Sequence, residues 1–172
     1  METLKAVFSR KSVRSYTGEK VSEEELQTIL KAGYAAPVGM AQYDTLNITV
    51  IEDKAVLAAI EEAGAKLFNK PGLHPLYGAP TLILLSAKGN STMDLSNASC
   101  VIENMSLAAV DLGIGTVHIW GAVAALNKDP ALVASLGLPE GFIPACALAV
   151  GKTTVKYEER EIPERIATSY LR

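Results

Sequence analysis

The sequence predicts one α+β or α/β domain, a sheet covered by helices, and three observations carry that expectation. Its 172 residues suit a single domain spanning 1–172. With 49% hydrophobic and 20% charged residues, the composition is globular and not disordered. Segments with helical spacing alternate with short apolar runs of strand type, and no repeat, low-complexity tract or linker interrupts them. Which strands pair is not legible in that order.

Residues 2 to 9 carry Leu4, Val7 and Phe8 on one helical face and predict a short amphipathic helix. Val13 and Ser15 then alternate with Ser12, Arg14 and Tyr16, as an extended stretch leaving that helix would. In SEEELQTILKAGY, Ser22 and Glu25 form a capping box, and Leu26, Ile29 and Leu30 supply a buried stripe. APVGMAQYD breaks this helix, LNITVIED reads as a strand, and Asp53 caps a helix through about Gly64. Residues 69 to 80 hold three prolines and two glycines, so they predict a loop and a candidate lid. TLILLSA is a continuous apolar run, the mark of a central strand covered on both faces.

DLSNASCVIENMSLAAVDLG predicts a long helix ended at Gly113, with few enough charges to expect burial in the core or against another subunit. GTVHIWGA reads as a strand. DPALVASLG reads as a helix, because proline at the first helical position needs no amide partner. IPACALAVG is the last strand, and KTTVKYEEREIPERIATSYLR a polar, extended tail.

Composition also excludes several functions. A net charge of −3 argues against a nucleic-acid partner, so any anion site must be local. No run reaches the roughly eighteen apolar residues of a membrane span, and residues 1 to 20 lack the order of a signal peptide. Cys100 and Cys146 lie in apolar runs and read as reduced, buried packing residues of a cytoplasmic protein. His74 and His118 lack ligand spacing, so no metal is expected.

Gly113 and Gly115 in DLGIGTV do not make a dinucleotide fingerprint. They follow a helix and precede a strand, and the third glycine is missing. A helix C-cap accounts for them, as does room for a planar ligand against the backbone. No phosphate loop, nucleophile elbow or H-E-x-x-H pair occurs. SRKSVRSY remains, with Arg10, Lys11 and Arg14 around Ser12. A solvated face is the ordinary account of such a run. Arginine forks and a short hydroxyl also suit a phosphate, and Lys152, Lys156 and Arg160 follow the last strand, where they could close its second side.

These segments, taken in order, resemble the nitroreductase family of flavoproteins across nearly the whole chain. SRKSVRSY is similar to the family's R-R/H-S-x-R-x-[FY]. VSEEELQTILKAGYAAP, NITVIED, YGAPTLILLSA, NASCVIENMSLAAVDLGIGTVHIWG and ALAVGK follow in the family's sequence. The resemblance implies a nitroreductase-like α+β fold, a mixed central sheet flanked by helices, and a homodimer with FMN at its interface. It further implies NADH or NADPH as electron donor and a small-molecule acceptor of nitroaromatic or quinone type, reduced by ping-pong turnover. Arg10, Lys11, Ser12 and Arg14 would hold the flavin's phosphate, ribityl chain and pyrimidine edge. Pro37, Val38, Gly39 and Met40 would cover the ring from the partner chain. Gly115, Thr116, His118, Ile119 and Trp120 would lie along it, with Lys152 and Arg160 toward the phosphate. The flavin carries the chemistry, so no side chain is assigned a catalytic role.

The chain departs from the family in the partner loop. Where many members read A-P-S-x-x-N-x-Q-P-W, it reads APVGMAQYDT, with Val38 for the serine, Ala41 for the asparagine and Gln42 as a partial substitute. Two other readings stay open at this level. One is a flavin-binding or flavin-processing protein without nitroreductase turnover; the other is a cofactor-free module for a phosphorylated metabolite.

Overall fold

A computed structural model describes residues 2–172. Four strands, β1 (Leu46–Ile51), β2 (Thr81–Ala87), β3 (Gly115–Ile119) and β4 (Ile143–Gly151), form one sheet in the order β1-β2-β4-β3. All three ladders are antiparallel, so the mixed pairing implied by the resemblance is not found among these four strands. The connections explain why. Helix α3 (Lys54–Leu67) follows β1, and the segment after it doubles back along its own length. Glu61 of α3 accepts from the Leu76 amide at 3.2 Å and meets His74 Nδ1 at 3.1 Å, while Pro75 packs against Gly64. The chain therefore returns to where β1 ended, and β2 enters the sheet in the opposite direction, pairing Ile51 with Leu82.

Helix α4 (Thr92–Asp111) crosses from β2 to β3, which run the same way, and β4 inserts between them antiparallel to both. Strand alternation divides the sheet into two apolar layers. Ile83, Leu85, Leu148 and Val150 face α2 (Glu23–Tyr34) and α4. Leu82, Leu84, Val117 and Ala149 face α3 and a short helix, α5 (Gly121–Leu126). Every residue of β2 is buried, as a strand covered on both faces requires.

The helix caps form as the sequence predicts. Ser22 and Glu25 make a reciprocal capping box on α2, Asp53 caps α3, and Asp129 with Pro130 opens α6 (Pro130–Ser135). Leu112 and Gly113, the latter at φ +71°, end α4.

Three expectations are corrected. Trp120 leaves the β conformation and α5 begins at Gly121, so GTVHIWGA is a strand only to Ile119. Leu4, Val7 and Phe8 of α1 (Thr3–Ser9) are exposed, because this helix rests on the protein through its small residues Ala6 and Ser9. Cys146 is buried, which pushes its thiol pKa up to about 12, but Cys100 lies on the outward face of α4 with Ser96, Ser99 and Glu103.

Replacing Glu61 with Ala should remove the hinge on which the 69–80 return depends. The expected result is faster amide exchange at Leu76 and a stability loss of about 1 kcal/mol in urea unfolding, the usual net worth of such a bond.

Candidate functional site

The cation-bearing stretch is docked and not free. Leaving α1, residues 12 to 16 run beside β3, the edge strand, and the Val13 amide donates to the Thr116 carbonyl at 2.8 Å. Val13 is 2% exposed and lies against Gly115, where an added Cβ would sit 2.9 Å from Val13 Cγ1 and 3.0 Å from Thr153. Glycine at 115 thus leaves the room that the Val13 and Thr153 side chains fill. With Val13 turned inward, alternation turns Ser12 and Arg14 outward. Tyr16 closes the stretch, its hydroxyl donating to the carbonyls of Val13 and Ala149, and burial pushes its pKa up.

Three groups surround Arg10. Its guanidinium Nε pairs with Glu103 Oε1 of α4 at 3.2 Å. Arg160, from the tail, donates to the carbonyls of Phe8 at 3.2 Å and Arg10 at 2.7 Å, so it satisfies the open end of α1. His118 points from β3 toward the same side as Thr116, whose hydroxyl meets Ser106 of α4 at 3.1 Å. Partial burial holds the His118 pKa below its ordinary value, with Glu103 pulling it up and Arg10 pushing it down. Lys11 and Arg14 form no ion pair among the described residues, and the Arg14 guanidinium lies 5.6 Å from the Tyr77 ring centre.

Beyond Arg14 is a cleft of about 300 Å³ lined by Phe68, Tyr77, His118, Ile119 and Trp120. Tyr77 holds a positive φ of 58°, a backbone state that costs a bulky residue energy and so marks a place worth a function. Gly121 lets Phe68 close one wall, since a Cβ there would meet the Phe68 ring at 2.8 Å. Trp120 is 71% exposed and caps α5 without a side-chain hydrogen bond. Cations on an extended edge beside an open aromatic cleft suit a ligand with an anionic end and a flat ring.

The remaining residues singled out in the sequence lie elsewhere. Lys152 reaches the start of α2 and pairs with Glu25. Lys156 is exposed on the tail. The turn at Pro37 to Gln42 packs on α4, where the Gly39 amide donates to Asn97 Oδ1 at 3.0 Å and Val38 is buried. Asn97 lies about 9 Å along α4 from Glu103, and none of the turn's residues lines the cleft. Met40 and Ala41 both hold positive φ, 54° and 55°, which leaves Met40 74% exposed at the tip. Phe68, which caps the end of α3, and Tyr77 were not singled out; the proline-rich loop was the one signal for Tyr77, and the return path along α3 brings it to β3.

Comparison with known proteins identifies the family and the fold. The model described as Nitroreductase family matches residues 7–152. An Archaeoglobus fulgidus protein, provisionally named NADH dehydrogenase/NAD(P)H nitroreductase, is 30% identical over 96% of each chain. A Bacillus subtilis FMN reductase (NADPH) is 27% identical over 87% of this chain and 65% of that protein. Among solved structures, a Bacteroides fragilis nitroreductase with bound FMN superposes with a TM-score of 0.85 at 29% identity, over 99% of this chain and 100% of that one. A Desulfitobacterium hafniense nitroreductase superposes at 0.86 with 23% identity over the whole of both chains, which establishes likeness of fold.

The Lys152–Glu25 pair has a measurable consequence. The hydrogen bond from Lys152, and then that from the Ser22 amide, hold the Glu25 pKa below its ordinary value of 4.5. A carboxylate depressed in the folded state stabilises fully above its unfolded pKa and loses that contribution as pH falls through the folded value. Lys152→Ala should move the Glu25 titration upward in an NMR pH series and flatten that acid limb.

Proposed function

The chain belongs to the nitroreductase family, and on that premise we propose that it is an FMN-dependent NAD(P)H oxidoreductase reducing nitroaromatic or quinone acceptors. The observation that carries this reading is the docked 10–16 segment, whose Arg14 guanidinium lies over the Tyr77 wall of an aromatic cleft, with Arg10, Lys11 and Ser12 just before it on the same stretch. That donor set fits FMN: Arg10 and Lys11 suit its phosphate, Ser12 its ribityl chain, and Arg14 its pyrimidine edge. His118, Ile119 and Trp120 line the cleft where the ring would lie, while Gly115 and Thr116 are buried behind it, Gly115 against Val13 and Thr116 on Ser106.

When bound, FMN supplies the capacity to take a hydride from NADH or NADPH and to release electrons to an acceptor. The chain's own residues do the rest. Arg14 holds positive charge where reduction adds negative charge, in a cleft whose Phe68 and Tyr77 walls limit water. Partial burial holds the His118 pKa below its ordinary value, which disfavours a further cation beside Arg10. Glu103 orients the Arg10 guanidinium, so Arg10 needs little reordering to meet an anion. Donor and acceptor use the cleft in turn, the nicotinamide leaving before the acceptor enters, which is ping-pong turnover.

In this reading the protein works in the cytoplasm as a homodimer, with Pro37 to Met40 and Gln42 of one copy over the cleft of the other. Supporting it are the exposed Met40 tip, the exposed Leu4, Val7 and Phe8 of α1, and the small outward residues of α4. Lys152 and Arg160 act by fixing α2 and the end of α1 around the site.

Absorbance spectra of the purified protein, taken before and after NADH is added without oxygen, test the reading. Flavin bands that bleach are expected; an absence of flavin bands after incubation with FMN would overturn it. Arg14→Ala should lower FMN retention at least tenfold and leave the oligomeric state unchanged in gel filtration, whereas full retention would remove Arg14 from the site.

A further inference from the structure

Glu103 stands between two side chains that carry or can acquire positive charge. On one side it pairs with Arg10 Nε at 3.2 Å. His118 is on the other, and the path of the chain puts it there. Ser106 and Thr116 are ten residues apart, yet their hydroxyls lie 3.1 Å from each other, so the chain doubles back between α4 and β3 through Gly113 at φ +71°. Glu103 is about 4.5 Å back along α4 from Ser106 and on the same helical face. His118 is about 7 Å forward along β3 from Thr116 and on the same strand face. Both offsets run the same way, which brings the imidazole to the level of the carboxylate that holds Arg10. Partial burial opposes a proton on His118; of the two charged neighbours, Glu103 favours it and Arg10 opposes it. The tail adds Arg160, engaged with the carbonyls of Phe8 and Arg10, and Tyr157, whose hydroxyl donates to the Ile114 carbonyl at 2.8 Å. The 69–80 return adds Tyr77 on the same cleft, with Arg14 against its ring. Arginine and tyrosine keep one charge state between about pH 5.5 and 8. His118 is therefore the side chain of this cluster suited to change its charge near neutral pH.

Glu103 orients Arg10 but also offsets its charge. A phosphate dianion arriving at Arg10 adds negative charge beside His118, and a proton from solvent then enters the imidazole at lower cost. Linkage makes the effect reciprocal: a proton on His118 offsets Glu103 and leaves the charge of Arg10 to the anion. We propose that His118 is the proton-linked member of an anion site at Arg10, where binding of a dianion and protonation of the imidazole favour each other, so that the site holds its phosphate more tightly as pH falls. The proposal rests on the reading that places the FMN phosphate at Arg10, and it makes FMN retention respond to acidification. Arg10 and Glu103 are both partly exposed, so solvent screens the coupling and keeps it modest. A phosphate monoester itself gains a proton at a pH of about 6, so it mixes its own titration with that of the site. Sulfate keeps both charges across this range and reports the site alone.

The test is an NMR pH titration of the full chain stripped of FMN, in sulfate and in chloride of equal ionic strength. The chain has two histidines, so the ring protons of His118 are assigned by their loss in His118→Gln, and those of His74, paired with Glu61, serve as the internal control. Saturating sulfate should move the His118 titration to higher pH. Sulfate affinity, read from the amide shifts of residues 10 to 14, should rise about threefold from pH 8 to pH 5.5 in the wild type and stay level in His118→Gln. Glu103→Gln should move the His118 titration in chloride to lower pH, because it removes the charge that favours the proton. A His118 titration that sulfate leaves in place, no sulfate binding at residues 10 to 14, or a wild-type pH dependence in His118→Gln would overturn the proposal. Failure of the flavoenzyme reading shows separately, as missing flavin absorbance after incubation with FMN, and leaves the sulfate titration as it is.

Discussion

One backbone hydrogen bond, from the Val13 amide to the Thr116 carbonyl, sets the position of everything that could meet a ligand. Strand β3 is an edge, with unpaired groups that need partners. By satisfying one of them, the 12–16 stretch covers the edge and acquires a strand's alternation without completing a ladder. Val13 is then locked inward, and Ser12 and Arg14 must face out. The approach depends on Gly115, because any larger residue would strike Val13 and Thr153. An acidic chain thus keeps a local concentration of cations that its overall charge would not suggest.

The layers on either side supply the rest of the site from opposite directions. From the α2 and α4 layer come Glu103, which orients Arg10, and Ser106, which anchors Thr116. From the α3 and α5 layer come Phe68, Tyr77 and Trp120. The 69–80 segment can deliver Tyr77 only because Glu61 and Gly64 hold it against α3 on its way back. The same constraint makes β2 antiparallel to β1, so sheet topology and cleft wall share one cause. The tail has a comparable part, with Arg160 closing α1 and Thr153 donating to the Ser15 carbonyl at 2.9 Å.

Much of the fold was legible because its signals are local. The Ser22–Glu25 capping box, the Asp-Pro helix start, the apolar run of β2 and the glycine after α4 each act within a few residues, and each is found where expected. Signals that depend on partners were not legible. GAVAAL is short and apolar and continues a strand-like run, so nothing in it announces α5. The apolar face of α1 points outward because small residues fit its seat better than large ones, which a helical periodicity does not reveal. At the site, the cluster from Arg10 to Arg14 stood out by charge density alone. The pairing of Lys152 with Glu25, the carbonyls held by Arg160 and the aromatic walls all require the folded chain.

The central claim is that the cation-bearing segment is docked on β3 before any ligand arrives. Residue-resolved amide hydrogen exchange on the protein stripped of FMN tests it most directly. The account predicts strong protection at Val13 and fast exchange at Ser12 and Arg14, the alternation that edge docking imposes. Uniformly fast exchange from Arg10 to Tyr16, with protection gained only when FMN is added, would contradict it and make the ligand the organiser of the site.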